Sequence, residues 1–277
     1  MSLVVGLGEA LFDLLPGGPV LGGAPLNVAV HAQQLGARGV LVSRIGRDAL
    51  GDRLRAEVAA RGLDASGLQV DPERPTGTVA VTLEKGEPRY DITKDVAWDH
   101  LEVSPALAAS ADAVCFGTLA QRSPRSRDAI RRFLEAAPKA VRLFDVNLRQ
   151  AYYDREVLHE SLRRATMVKL NRDELPIVLG LLGMSDLDAL RAAYGLTHAV
   201  LTRGADGTSI NGVEGERARF PVQAGADSVG AGDACSAGVL MGVLRGWTIE
   251  RTLSLANRLG AYVASVPGAT PRLPFTS

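Results

Sequence analysis

Short apolar runs alternate along this chain with longer stretches whose apolar positions recur every three or four residues. The runs 3–8 (LVVGLG), 39–44 (GVLVSR), 113–116 (AVCF), 141–145 (VRLFD), 167–170 (MVKL) and 199–202 (AVLT) read as buried strands. The stretches 25–34, 48–61, 124–136, 154–164 and 187–194 read as helices, with Gly36 and Gly62 as stops for the first two. Repeated strand–helix units predict a parallel sheet covered by helices on both faces. Ligands of such sheets sit at the carboxyl ends of the strands, where Asp145, Asn147, Asn171 and Thr202 fall. Residues 76–92 break the rhythm: TVAVTL and RYDI flank Lys85-Gly86 with no helix after them, so they read as an inserted β-hairpin. Residues 229–266 read as largely helical. No repeat, linker or low-complexity tract divides the chain, so 1–277 reads as one α/β domain.

Charge and composition remove several function classes. Lys and Arg together number 31, as do Asp and Glu, which argues against a nucleic-acid or membrane-surface binder. The four lysines are Lys85, Lys94, Lys139 and Lys169, and none follows a glycine, so no P-loop exists. Cys115 and Cys235 make no disulfide framework and fit a reducing compartment. Four scattered histidines without HExxH or CxxC give no zinc site. Residues 14–37 carry no charge, but Pro16, Pro19, Pro25 and several glycines exclude a spanning helix. With no basic, apolar leader at its start, the chain is expected in the cytoplasm. The opening Gly6-Leu7-Gly8 lacks the third glycine of a dinucleotide fingerprint, since Leu11 stands there.

The most informative segment is 227–233, DSVGAGD, followed by the apolar run 234–244. A turn of small residues feeding a helix start presents free backbone N–H groups and the positive end of the helix dipole. That makes an anion cradle without lysine. Asp233 stands in the first helical turn, where a bound anion repels it; a general base taking a proton from an attacking hydroxyl has a reason to be there. A capping Asp in a tight turn is the plainer alternative.

Six segments together are similar to the PfkB (ribokinase-like) carbohydrate kinases. DSVGAGDACSAG resembles the family's second signature and GGAPLNVA (22–29) its first, in the family's order. GEALFD (8–13), FDVNLR (144–149), KLNRDE (169–174) and LTRGADG (201–207) resemble further family segments, so the likeness spans essentially the whole chain. It implies a ribokinase-like, doubly wound, mostly parallel sheet with helices on both faces, plus a small β-sheet lid formed by about residues 11–20 and 76–98. It also implies transfer of the ATP γ-phosphoryl to a sugar hydroxyl.

In that resemblance Asp233 is the base, and the backbone of Gly230, Ala231 and Gly232 stabilises the moving phosphoryl group. Asp13 binds two sugar hydroxyls, Gly22 and Gly23 let the backbone approach the sugar, and Asn27 bonds another hydroxyl. Asn147 and Arg149 edge the sugar pocket. Asn171 and Glu174 organise Mg²⁺ and its waters; Thr202 and Gly204 border the triphosphate; Gly207 and Asn257 lie on the nucleotide side. Asp227, with the carbonyls of Val266 and Gly268, matches a monovalent-cation site for K⁺, although Arg272 stands where some members have a small polar residue. Lid sheets of the family often pair between subunits, which implies a homodimer.

The GGAPLNVA form, GEALFDLLP, the stretch 90–99 and FGTLAQRS (116–123) are similar to fructokinases, so fructose is the expected sugar. The alternative is a 2-keto-3-deoxygluconate kinase, with Arg149 taking the substrate carboxylate, or another PfkB sugar kinase of the ribokinase-like kind. A catalytically dead sugar-binding protein on the same fold is the non-enzyme alternative. Arg122 has no assigned place.

Overall fold

A computed structural model describes residues 1–84 and 87–274, and the side chains of all of these except 81–84 and 87–90. The Lys85-Gly86 turn expected from the sequence lies outside the described residues. In chain order the first half runs β1 (Leu3–Leu7), β2 (Leu11–Leu15), β3 (Gly18–Gly22), α1 (Ala24–Gln34), β4 (Arg38–Gly46), α2 (Ala49–Ala60), β5 (Leu68–Asp71), β6 (Gly77–Glu84), β7 (Glu87–Ile92) and α3 (Pro105–Ser110). The second half runs β8 (Ala113–Phe116), α4 (Pro124–Glu135), β9 (Val141–Asp145), α5 (Arg155–Arg164), β10 (Met167–Asn171), α6 (Glu174–Leu182), α7 (Leu187–Ala193), β11 (His198–Thr202), β12 (Thr208–Ile210), β13 (Val213–Glu214), α8 (Ala231–Leu244) and α9 (Ile249–Val263).

Two sheets result. The larger has the order β13-β12-β11-β10-β9-β8-β1-β4-β5, parallel from β5 to β11 and antiparallel at β12 and β13. Strand order reverses between β1 and β8, which opens a crevice at their carboxyl ends. The smaller sheet has the order β3-β2-β6-β7 and joins β2 to β6 in parallel. The structure is thus α/β with a large, mostly parallel sheet and a separate small one.

Alternating side chains fill both faces of the large sheet. Val5, Phe116, Phe144 and Leu170 pack with Phe133, Leu158 and Val178 of α4, α5 and α6. Their neighbours Val4, Cys115, Leu143 and Met167 pack on the other face with Val28, Leu240 and Leu259 of α1, α8 and α9. The smaller sheet is seated by Phe12 and Leu21 against Leu26 of α1, Ile45 of β4 and Leu54 of α2. Each such fully buried apolar side chain contributes about 1.5–3 kcal/mol. Helix starts are fixed locally: the carboxylates of Asp48, Asp154 and Asp186 accept the N–H groups of Gly51, Val157 and Ala189.

The observed elements depart from the sequence pattern within 229–266 and at α3, α6, β3, β5, β12 and β13. The helical region 229–266 is two helices, broken at Arg245-Gly246-Trp247. α6 was not expected: its segment ELPIVLGLL is apolar all round, so it shows no stripe. β3 and β5 are short and carry no clean alternation. Among the described residues no helix is long and apolar enough to cross a membrane.

Candidate active site

The start of α8 is built by a turn that only glycine fits. Asp227 Oδ1 accepts the Val229 N–H at 2.9 Å. Gly230 then adopts a left-handed conformation (φ 80°), and a Cβ there would lie 2.4 Å from the Ala269 carbonyl oxygen. No side chain caps the helix. The Ala231 N–H donates to the Ser228 carbonyl at 3.2 Å. The amides of Gly232 and Asp233 follow as first-turn donors with no partner inside the helix. Such an N-terminus can hold an anion.

Asp233 stands beside these amides, half-buried, and its Oδ2 accepts a 2.8 Å bond from Asn27 Nδ2, 206 positions away in sequence. Burial, then the Asp145 carboxylate, push its pKa up to about 6, while Lys169, Asn27 and Arg149 pull it down.

Behind the turn lies a buried charge pair that sequence reading missed. Lys169 Nζ donates to both Asp145 oxygens at 2.9 Å, and Ser236 Oγ donates to Asp145 Oδ2 at 2.7 Å. The two charged side chains are 8% and 4% exposed. A Cβ on Gly232 would come within 3.3 Å of the ammonium, so Lys169 sits directly under the helix start. Burial opposes the ammonium charge, yet Asp145 and Asp233 outweigh it and hold Lys169 above its ordinary value. The available signal was a lysine inside the apolar run MVKL, with Lys169 and Asp145 in register on neighbouring strands.

A second wall is formed by the β1–β2 turn and α1. Glu9 is 2% exposed, and burial pushes it up to about 7 against its own backbone N–H and Arg149. Its Oε2 and the Oδ1 of Asn27 are buried acceptors with no hydrogen-bond partner among the described residues. Asp13 is also shifted upward by burial, with Arg149 opposing. Gly22 and Gly23 serve the chain's own crossing here: a Cβ at Gly22 would lie 2.9 Å from Asp13 Oδ2, and one at Gly23 2.6 Å from the Glu9 carbonyl. Asn147 has a left-handed backbone (φ 44°) in the loop after β9, and Arg149 is exposed two residues on. The charge of Arg149 acts on Glu9, Asp13 and Asp233 together.

The remaining residues form a third group. Asn171 Oδ1 accepts the N–H groups of Asp173 and Glu174, which caps α6. Glu174 is 6% exposed, and its oxygens accept the N–H groups of Asn171 (2.8 Å) and Leu148 (2.9 Å). This carboxylate therefore ties the loop carrying Asn147 and Arg149 to the end of β10. Thr202 pairs in register with Asn171 and donates to the Leu170 carbonyl. Gly204 opens the turn after β11 in a left-handed conformation. Asn257 Nδ2 donates to the Glu216 carbonyl at 2.7 Å, and a Cβ on Gly207 would stand 3.5 Å from that nitrogen. Asp227 is exposed, Val266 buried and Gly268 exposed; their two loops run together where Gln223 N–H meets the Ser265 carbonyl. Among the described residues no three His, Cys, Asp or Glu side chains converge to hold a metal ion.

A helix start lined with free amides, a carboxylate of raised pKa beside it and a crevice at the carboxyl ends of a doubly wound sheet make up the candidate site of this α/β protein. The model of the pfkB family carbohydrate kinases matches residues 19–276, and the chain belongs to that family. It is 30% identical to a fructokinase from Klebsiella pneumoniae over 97% of this chain and 95% of the relative. It superposes on a sugar kinase from Pyrococcus horikoshii in complex with ATP with a TM-score of 0.81 and 26% identity, covering 98% of this chain and 95% of that one. It also superposes on the aminoimidazole riboside kinase from Salmonella enterica with a TM-score of 0.82 and 25% identity, covering 99% and 97% of the two chains.

Proposed function

We propose that this protein is an ATP-dependent kinase that phosphorylates a hydroxyl of fructose, as a single domain over residues 1–277. The observation that carries the reading is Asp233 held by Asn27 beside the Gly232 and Asp233 amides, with Lys169 beneath them. Asp233 takes the proton of the sugar hydroxyl. The sugar oxygen attacks the γ-phosphorus, the bond to the β–γ bridging oxygen breaks, and ADP leaves. The amides of the Gly230-Ala231-Gly232 turn and the helix dipole stabilise charge on the moving group. Of these, Ala231 would act only after giving up its bond to Ser228.

The acceptor lies between Asp13, the Gly22-Gly23 backbone, Asn27, Asn147 and Arg149. The unpaired Asn27 Oδ1 supports this, because a buried acceptor calls for a donor such as a sugar hydroxyl. ATP lies toward Asn171, Thr202, Gly204, Gly207 and Asn257. A magnesium ion would neutralise phosphate charge, held through water by Glu174, each of whose oxygens has spare acceptor capacity beyond its amide bond; Asn171 Oδ1 already accepts two amides, which leaves its Nδ2 to donate to a phosphate oxygen. Asp227 and the carbonyls of Val266 and Gly268 would hold potassium behind the turn.

The smaller sheet acts as a lid and as the contact of a homodimer. Exposed Leu14, Leu15 and Val20 on β2 and β3 support that reading. One observation favours a second substrate. Arg149 is exposed beside Asp13 and can receive a carboxylate bidentately, which suits 2-keto-3-deoxygluconate. ADP formation with Mg-ATP over fructose, 2-keto-3-deoxygluconate, ribose, glucose, fructose 6-phosphate and adenosine, with and without potassium, tests the reading. Fructose is expected to give the highest kcat/KM. Turnover confined to the keto-acid would move specificity to Arg149, and silence on the whole panel would overturn the fructose reading and leave a sugar outside the panel or a binding protein without activity.

A further inference from the structure

Arg122 lies in the single helical turn Leu119–Arg122 that follows β8, at the carboxyl edge of the large sheet. It is 5% exposed, and its partner Asp99 is 6% exposed. Nε and Nη2 donate to the two Asp99 oxygens at 2.8 Å each, a bidentate fork. Nη2 also donates to the Thr93 carbonyl at 2.5 Å. The guanidinium carbon lies 4.0 Å from the ring centre of Trp98 and 5.0 Å from that of Tyr152.

Each of these partners leads back to the cleft. Thr93 follows β7, and its N–H and hydroxyl bond Thr78 at the start of β6. Trp98 packs its indole on Gly77: a Cβ there would lie 2.2 Å from Nε1. Gly77 pairs with Leu11, two residues before Asp13. Tyr152 donates its N–H to the Arg149 carbonyl at 3.0 Å. One guanidinium thus grips the foot of the smaller sheet and the loop bearing Asn147 and Arg149. A buried ion pair is a poor source of stability, because desolvation offsets most of its attraction; fixing one geometry is what it does well.

We propose that Arg122 is a positioning residue for the acceptor sugar, locking the foot of the smaller sheet and the 147–152 loop in register through Asp99, Thr93, Trp98 and Tyr152. The inference rests on the reading of this cleft as a sugar site. Lysine can keep the charge pair with Asp99 but supplies neither the planar fork nor the stacked plane between two rings.

The full chain and its Arg122→Met and Arg122→Lys variants are compared in fructose KM, ATP KM, kcat, melting temperature and amide hydrogen exchange. In Arg122→Met, fructose KM is expected to rise about 10- to 100-fold, as for an angstrom-scale misplacement of substrate. ATP KM should stay within about twofold, since the loss is confined to one substrate's site. Exchange should quicken at both 93–99 and 147–152. Arg122→Lys should recover the melting temperature but not the fructose KM. Equal shifts in both KM values, or an unchanged fructose KM with a lower melting temperature, would overturn the inference and leave Arg122 a purely structural residue. A sugar-active wild type whose Met variant loosens only at 93–99 would overturn the coupling alone. A wild type inert on every sugar, with both segments still loosening together in the variant, would overturn the sugar-site reading and the acceptor role with it.

Discussion

Replacing Lys169 by methionine tests how the buried charges set Asp233. One ammonium faces two carboxylates: it is bonded to Asp145 and lies under the turn that carries Asp233. With Lys169 present, Asp233 rests at about 6. About nine-tenths of it is then ionised at pH 7, one unit above that value. Loss of an opposite charge within roughly 4–6 Å raises a carboxylate by about 1–3 pH units. At pH 7 the ionised fraction then falls to between about one-half and one-hundredth, and turnover falls with it by about 2- to 100-fold, returning as the pH is raised to 9. Stability falls as well. Removing one partner of a buried pair costs about 3–5 kcal/mol, which at about 2–4 °C per kcal/mol lowers the melting temperature by about 6–20 °C. The assay is kcat on fructose at saturating Mg-ATP from pH 5 to 9, beside thermal melting. Adding Asp145→Asn to Lys169→Met removes both buried charges, so the double variant should bring the acid limb and most of the melting temperature back toward wild type. An acid limb unmoved in Lys169→Met, with the melting temperature lowered as expected, would refute the idea that Lys169 sets the titration of the base.

Glu9→Gln probes the other raised carboxyl. Folded Glu9 titrates near 7 against an ordinary value of 4.5, so stability is lost as the pH rises from 4.5 through 7; between pH 8 and 5 the stability of wild type relative to the variant should rise by about 2.5 kcal/mol. His31 opposes below pH 6.5, since burial lowers it to about 4 and unfolding lets it take a proton; the two nearly cancel between about pH 5 and 6, so Glu9→Gln should turn a near-flat profile there into one that falls with falling pH, and a profile unchanged by Glu9→Gln would count against the assignment. Gly230→Ala meets both a left-handed backbone and the Ala269 carbonyl, whereas Gly246→Ala meets a left-handed backbone in open space. The second should cost about 1–2 kcal/mol in denaturant unfolding, and the first distinctly more together with most of the turnover; equal costs would show that the Ala269 contact yields freely.

Much of this architecture was legible because the strands of a doubly wound sheet are short apolar runs and its helices have one wet face. The helices expected over 48–61 and 154–164 begin where the carboxylates of Asp48 and Asp154 cap α2 and α5. α6 escaped because Ile177 and Leu181 remain exposed on an otherwise apolar helix, so no stripe marks it. Within the site, Asp233 and Asn27 could be named from their motifs, but their hydrogen bond joins residues 206 apart and only the fold brings them together. Lys169, Glu9 and Arg122 were harder for one reason. A buried charge depends on its partner, and the partners Asp145 and Asp99 lie on other elements. Gly22 and Gly23 were expected to make room for a ligand; the structure shows that they first make room for Asp13 and the Glu9 backbone.

Asp233 is the proposed base of a phosphoryl transfer to a sugar. ADP formation by Asp233→Asn, with fructose and Mg-ATP at pH 7.5 and ATP binding measured in parallel, addresses it most directly. Asparagine keeps the shape but cannot take the proton, so kcat should fall by about 10²- to 10⁴-fold with ATP affinity retained. Turnover within a few-fold of wild type would contradict the claim.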